Sequence, residues 1–174
     1  LLNEEYDDSI KASYSPNQQY ITFLTSGSDS DIINILNVKS KEINKFNLNN
    51  PYYTHAYNAE NQLLTITTNW ESQSYELNFL VLGDKSDKIY NDDLMINLNE
   101  GKLTNPKYIN GVLYFSINGA DNSGKIIKFN SGEKNDYEFV VNFNKHILDF
   151  IYDEINRTFI ILNSDNKITL QQLP

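Results

Sequence analysis

The sequence predicts an all-β chain, β-propeller-like, built from four four-stranded antiparallel blades. A Tyr-led turn and strand recurs four times, an Asn-apolar-Asn triplet recurs in phase with it, and helix signals are weak throughout while β-branched and aromatic residues abound. Counting from Tyr14, the apolar residues Tyr20, Ile21 and Phe23 follow at six, seven and nine positions, and Leu63, Leu64 and Ile66 follow Tyr57 at the same offsets. Tyr152 leads to Phe159 and Ile161 at seven and nine, and Tyr108 opens a copy in which Asn110-Gly111 shortens the turn by two residues. The four tyrosines lie 43, 51 and 44 residues apart, and the triplets Asn47-Leu48-Asn49, Asn97-Leu98-Asn99 and Asn142-Phe143-Asn144 start 10, 11 and 10 residues before the next one. A period of roughly 40 to 50 residues carrying four strands is that of a propeller blade.

The chain divides into units of about 9–50, 51–99, 102–144 and 145–174. In the first, the alternation of Ile10, Ala12 and Tyr14 predicts a strand, Ser15-Pro16-Asn17 a turn, and Tyr20 to Thr25, Ile32 to Val38 and Glu42 to Leu48 three more strands. The second unit repeats the order with strands at 52–57, 62–68 and 75–82. Its fourth strand is expected at Leu94 to Leu98, after an inserted segment from Gly83 to Asp93 that accounts for the longest spacing. The third has strands at 103–108, 112–117, 125–129 and 137–143, the first two joined by Asn110-Gly111, whose residues tolerate the positive φ of a type I′ turn. The fourth unit, at 146–152, 158–162 and 167–173, stops one strand short. Residues 1–4 would supply the closing strand, or else belong to a further blade of a larger propeller, which is the expectation.

Composition narrows the function classes. With 14 Lys and Arg against 23 Asp and Glu the net charge is -9, which opposes phosphate backbones, so no nucleic acid partner is expected. No apolar run approaches the ~18 residues that cross a bilayer, so no membrane insertion is expected. There is no Cys, which removes disulfides, thiolate zinc sites and thiol nucleophiles, and no cofactor is expected. Asn, 26 residues spread evenly, reads as coding bias, and the expected location is extracytoplasmic.

Tyr14-Ser15-Pro16-Asn17 followed by Tyr20-Ile21-Thr22-Phe23 resembles the strand-turn-strand signature of TolB-like and WD-repeat-like β-propellers, in which a Ser-Pro-Asp-Gly turn precedes an apolar strand. Asn17 and Gln18 stand where Asp and Gly would be, only the first unit has Ser-Pro, and the Gly-His and Trp-Asp pairs of WD repeats are missing. The resemblance implies the fold and carries over no functional residue.

Nucleotide loops, His-Glu-x-x-His and Gly-x-Ser-x-Gly are all missing. The acidic pairs, such as Asp92-Asp93 and Asp153-Glu154, are adjacent in strand or turn and point to opposite faces, so they do not make a glycosidase pair. The antiparallel order gathers the loops after the second and fourth strands at one end. That end is the expected binding surface for a protein, peptide or glycan, with Trp70 as aromatic anchor, Asn49, Asn99 and Asn144 from the triplets, and His55 and His146 near the starts of inner strands. The expectation is a non-catalytic interaction module. The alternative is the propeller part of a larger enzyme, gating a peptidase or acting on glycans. The four marker tyrosines are expected to pack between blades.

Overall fold

The computed structural model describes residues 12–26, 31–48, 52–58, 62–69, 71–82, 89–129 and 137–172. The first sheet holds β1 (Ala12–Tyr14), β2 (Tyr20–Ser26), β3 (Asp31–Asn37) and β4 (Ile43–Asn47), and the second β5 (Tyr52–Tyr57), β6 (Gln62–Asn69), β7 (Ser74–Val81) and β8 (Ile89–Asn97). The third holds β9 (Lys102–Ile109), β10 (Val112–Asn118), β11 (Gly124–Phe129) and β12 (Tyr137–Phe143), and the fourth β13 (Ile147–Asp153), β14 (Thr158–Asn163) and β15 (Ile168–Gln172). Every pairing is antiparallel between sequence neighbours, giving three four-stranded sheets and one three-stranded sheet, which we call blades 1 to 4. The fold is therefore all-β and propeller-like, as the period predicts. The only helical element among the described residues is a 3-10 turn at Leu98–Glu100.

Local chemistry sets the turns. Ser15 Oγ donates to Asn17 Oδ1 (2.7 Å) and accepts from the Tyr20 N–H (3.0 Å), fixing the Ser-Pro-Asn turn that separates β1 from β2. Elsewhere Asn and Asp side chains accept from backbone N–H groups two or three residues on, as Asn37, Asn69, Asp121 and Asp153 do, which keeps short hairpins closed without a core of their own. Asn110 and Gly111 both adopt positive φ, 52° and 76°, as the hairpin signal requires.

The cores lie between blades. Ile33, Ile35, Leu63 and Leu80 pack blade 1 on blade 2; Leu64, Ile66, Leu77, Leu103, Leu113 and Phe115 pack blade 2 on blade 3; Ile126, Val141, Phe150, Phe159 and Ile161 pack blade 3 on blade 4. The central residue of each Asn-apolar-Asn triplet enters one of these cores: Leu48 the first, Leu98 the second, Phe143 the third. Tyr57, Tyr108 and Tyr152 pack between blades as expected, and burial raises the phenol pKa of Tyr57 and pushes that of Tyr108 to about 12.

The structure corrects two expectations. Tyr14 is 64% exposed instead of packed, because no described sheet precedes blade 1. The segment Asn91-Asp92-Asp93, expected to end the inserted segment before a strand at Leu94 to Leu98, belongs to β8, where Asp92 and Asp93 stand opposite Leu77 and Glu76. As an outer edge strand, β8 pairs on one side only, and charged residues are tolerated there. The possible closing strand at residues 1–4 and the turn at Gly83 to Asp87 lie outside the described residues.

Candidate functional site

The first strand of each blade forms the inner rim, where β5 lies against β9 and β9 against β13. Each of these three strands carries one residue more than its partner: the register shifts between Tyr52 and Thr54, between Thr104 and Lys107, and between Ile147 and Asp149. Bulges bend a strand and re-aim its side chains; those of β5 and β13 stand at equivalent positions, and that of β9 lies slightly nearer its marker tyrosine. The bulge in β9 is Asn105-Pro106, with Asn105 in the left-handed region at φ 52°. Pro106 has no N–H to give to a ladder, and Asn tolerates positive φ better than most residues.

A cavity of about 680 Å³ opens beside the bulges of β9 and β13, lined by His55 of β5, Lys102, Thr104, Asn105, Pro106 and Lys107 of β9, Asn118 at the end of β10, and Ile147, Leu148 and Asp149 of β13. Its surroundings are tied together by polar contacts. Asn105 Nδ2 donates to Ser116 Oγ (2.9 Å) and across the blade boundary to the Leu148 carbonyl (3.0 Å). Lys107 Nζ meets Asp149 Oδ1 at 2.6 Å and lies 5.5 Å from the centre of the Phe150 ring. Both partners of that ion pair are partly exposed, so its worth is small and falls with salt. His55 Nε2 and Ser13 Oγ are 2.6 Å apart, joining β5 to β1.

The lining residues Lys102, Asn118 and Ile147 lie where inner strands begin and second strands finish, at the end expected to be loop-rich. Asn118 there works as a backbone mimic: Nδ2 donates to the Ile147 carbonyl (2.9 Å) and Oδ1 accepts from the Ile147 N–H (2.7 Å). Next to it, His146 Nε2 is 2.7 Å from the Gly119 carbonyl, spanning blades 3 and 4. Tyr75 does the same for blades 2 and 3, its hydroxyl donating to the Gly101 carbonyl (3.0 Å) and accepting from the buried Leu103 N–H (3.1 Å).

Of the residues expected at the site, His55 lines the cavity. His146 and Asn144 stand just before β13 and are not among the lining residues, and Asn99 is exposed in the turn leading to β9. Trp70 and Asn49 lie outside the described residues. Attention to loops passed over Thr104, Asn105, Lys107 and Asp149. Two signals would have found them: Asn105-Pro106 interrupts an inner strand, and Asn105 and Asp149 each stand three residues before a marker tyrosine. Asp121, in the loop after β10, accepts from the N–H and hydroxyl of Ser123, which lowers its pKa, so this carboxylate shapes a turn. Among the described residues no three His, Asp or Glu gather as a metal site.

No protein-family profile matches the chain, and no curated protein matches it. Solved structures do match. A proposed gluconolactonase superposes over 100% of this chain with a TM-score of 0.64 at 9% identity. A protein of unknown function from Desulfotomaculum acetoxidans superposes over 98% with a TM-score of 0.61, also at 9% identity. This chain spans 63% of the first and 57% of the second. At this identity the likeness establishes the fold alone, and it supports the propeller arrangement without singling out TolB-like or WD-repeat-like propellers.

Proposed function

We propose that the chain is a non-catalytic binding module that takes a short glycan into the inner-rim cavity. The observation that carries this reading is the cavity itself: about 680 Å³, lined by polar groups from three successive inner strands. That volume is in the range of small-ligand sites, roughly 300 to 1,000 Å³, and is more than a flat protein contact needs. Lys102, Lys107 and Thr104 offer donors, and Asp149 and the amide oxygen of Asn105 offer acceptors, while Pro106 and Leu148 supply apolar surface. A sugar ring, with hydroxyls at its edge and C–H groups on its faces, uses both kinds of surface. The designation of one solved neighbour as a proposed gluconolactonase agrees with a sugar-derived ligand. Trp70, Asn49, Asn99 and Asn144 belong to the same proposal, as further contacts for a longer glycan or a peptide.

A glycan array followed by calorimetry tests this. Lys107→Met and Asp149→Asn should each weaken binding about tenfold or more, a change of about 1.4 kcal/mol, with melting unchanged. An array with no binder, or variants of undiminished affinity, would overturn it.

A catalytic reading has one observation in its favour. The Ser13 hydroxyl and His55 imidazole stand at the separation of a nucleophile and its base. On that reading a fluorophosphonate probe labels Ser13 and His55→Ala abolishes labelling. On the binding reading the pair joins two blades and the probe does not react.

A further inference from the structure

Two cross-strand rows recur in every blade, and they point opposite ways. The marker tyrosine row faces the preceding blade: Tyr57, Leu63 and Leu80 of blade 2 pack toward blade 1, and Tyr108, Leu113, Phe129 and Tyr137 of blade 3 toward blade 2. The row one residue earlier faces the following blade, as do Ile35 of blade 1, Leu64 and Phe79 of blade 2 and Tyr114 of blade 3. Both rows exist at the two ends of the stack, where no described sheet covers them. On blade 1 the preceding-blade row is Tyr14, Ile21, Leu36 and Ile43, one apolar residue on each of four paired strands, with Tyr14 64% and Ile43 43% exposed. On blade 4 the following-blade row is Ile151, Ile160 and Leu170, flanked by Leu162 and Ile168, and here Ile151, Leu170 and Ile168 are 54%, 67% and 71% exposed.

Scattered surface apolar residues need no explanation, but aligned rows covering a whole sheet face mark an interface. These two are also complementary: one is of the kind that receives a following blade, the other of the kind that receives a preceding one. We infer that both faces are blade interfaces of a larger ring, occupied by further four-stranded propeller blades of the same polypeptide that bridge blade 4 to blade 1. The solved neighbours argue for this occupant over a second copy. All four blades superpose on one chain of which they make up 63%, and nearly all on another of which they make up 57%. That leaves room for about two to three more blades at the same curvature. A second copy would bring four, more than that curvature holds.

The test is made on the full polypeptide read from its gene and on the 174-residue chain. The gene should encode two or three further units of this period. Ile151→Lys combined with Leu170→Lys should lower the melting temperature of the full polypeptide by about 5 °C or more and leave that of the 174-residue chain within about 1 °C. Hydrogen exchange on the unsubstituted proteins supplies a reading independent of how the variant folds: β15 amides should be protected at least tenfold better in the full polypeptide. A gene with no further unit overturns the inference, as does equal exchange of β15 in the two proteins or a double variant without effect in the full polypeptide. A 174-residue chain that forms a stable dimer hiding both rows overturns it in favour of the second copy.

Discussion

The two faces of blade 4 are made of the same kind of residue and live in opposite environments. Phe150, Phe159 and Ile161 on one face are fully buried against blade 3, while Ile151, Ile160 and Leu170 on the other stand opposite one another on adjacent strands with more than half of Ile151 and Leu170 in water. Apolar content therefore does not distinguish the core from the surface here. What distinguishes them is whether a neighbouring sheet is present, and a propeller gains its hydrophobic stability interface by interface.

The contrast is broken most directly by truncating one residue on each face. Phe159→Ala should cost about 3 to 5 kcal/mol in urea unfolding, because the ring is fully buried beside Tyr114, Phe150 and Tyr152. Leu170→Ala in the same chain should change stability by no more than about 0.5 kcal/mol. Equal losses would mean that both faces are covered in solution.

Polar contacts sharpen the same comparison on a smaller scale. The Tyr75 hydroxyl satisfies the Gly101 carbonyl and the Leu103 N–H across a closed interface. Tyr75→Phe should cost about 1 to 3 kcal/mol, with the Leu103 amide exchanging faster. An unchanged exchange rate at Leu103 would show that the bridge carries no stability.

The gentlest probe is alkali. Burial raises the Tyr108 phenol to about 12, above the ordinary value of 10.0, so its protonated form is favoured by folding. The contribution is fully present below pH 10 and is lost as pH rises toward 12. Replacing Tyr108 by Phe should therefore flatten the decline of stability over that window, read by thermal melts at successive pH values. A decline of the same steepness would assign it to other groups.

The blade period was legible in the sequence because the residues that set it act locally. Ser15, Asn37 and Asp153 close turns with their own side chains, and blades 1 to 3 each pack an apolar residue against a core where Leu48, Leu98 and Phe143 stand. The exposure of Tyr14 was not legible, since burial depends on a neighbour and not on the residue. Nor was the cavity. Thr104, Asn105 and Asp149 line one cavity beside the bulges of β9 and β13, and a bulge is a relation between two strands, with no signature in either beyond Pro106. Asp92 and Asp93 misled for the same kind of reason: their strand is half-paired, so the usual bias against charge in strands does not apply.

The inner-rim bulges have one more consequence, which concerns counting. Leu103 and Ile147 each stand five residues before a marker tyrosine, an odd number that simple alternation would send to the opposite face. Yet they pack in the same cores as Tyr108 and Tyr152. The extra residue restores the parity. Deleting Asn105 would therefore place Leu103 four residues before Tyr108, a spacing that plain alternation keeps on one face: Leu103 would stay in the core, while the bend and the Asn105 bonds to Ser116 and Leu148 would be lost. The added residue is thus one that core packing could do without, and what it supplies is the bent, polar wall of the cavity.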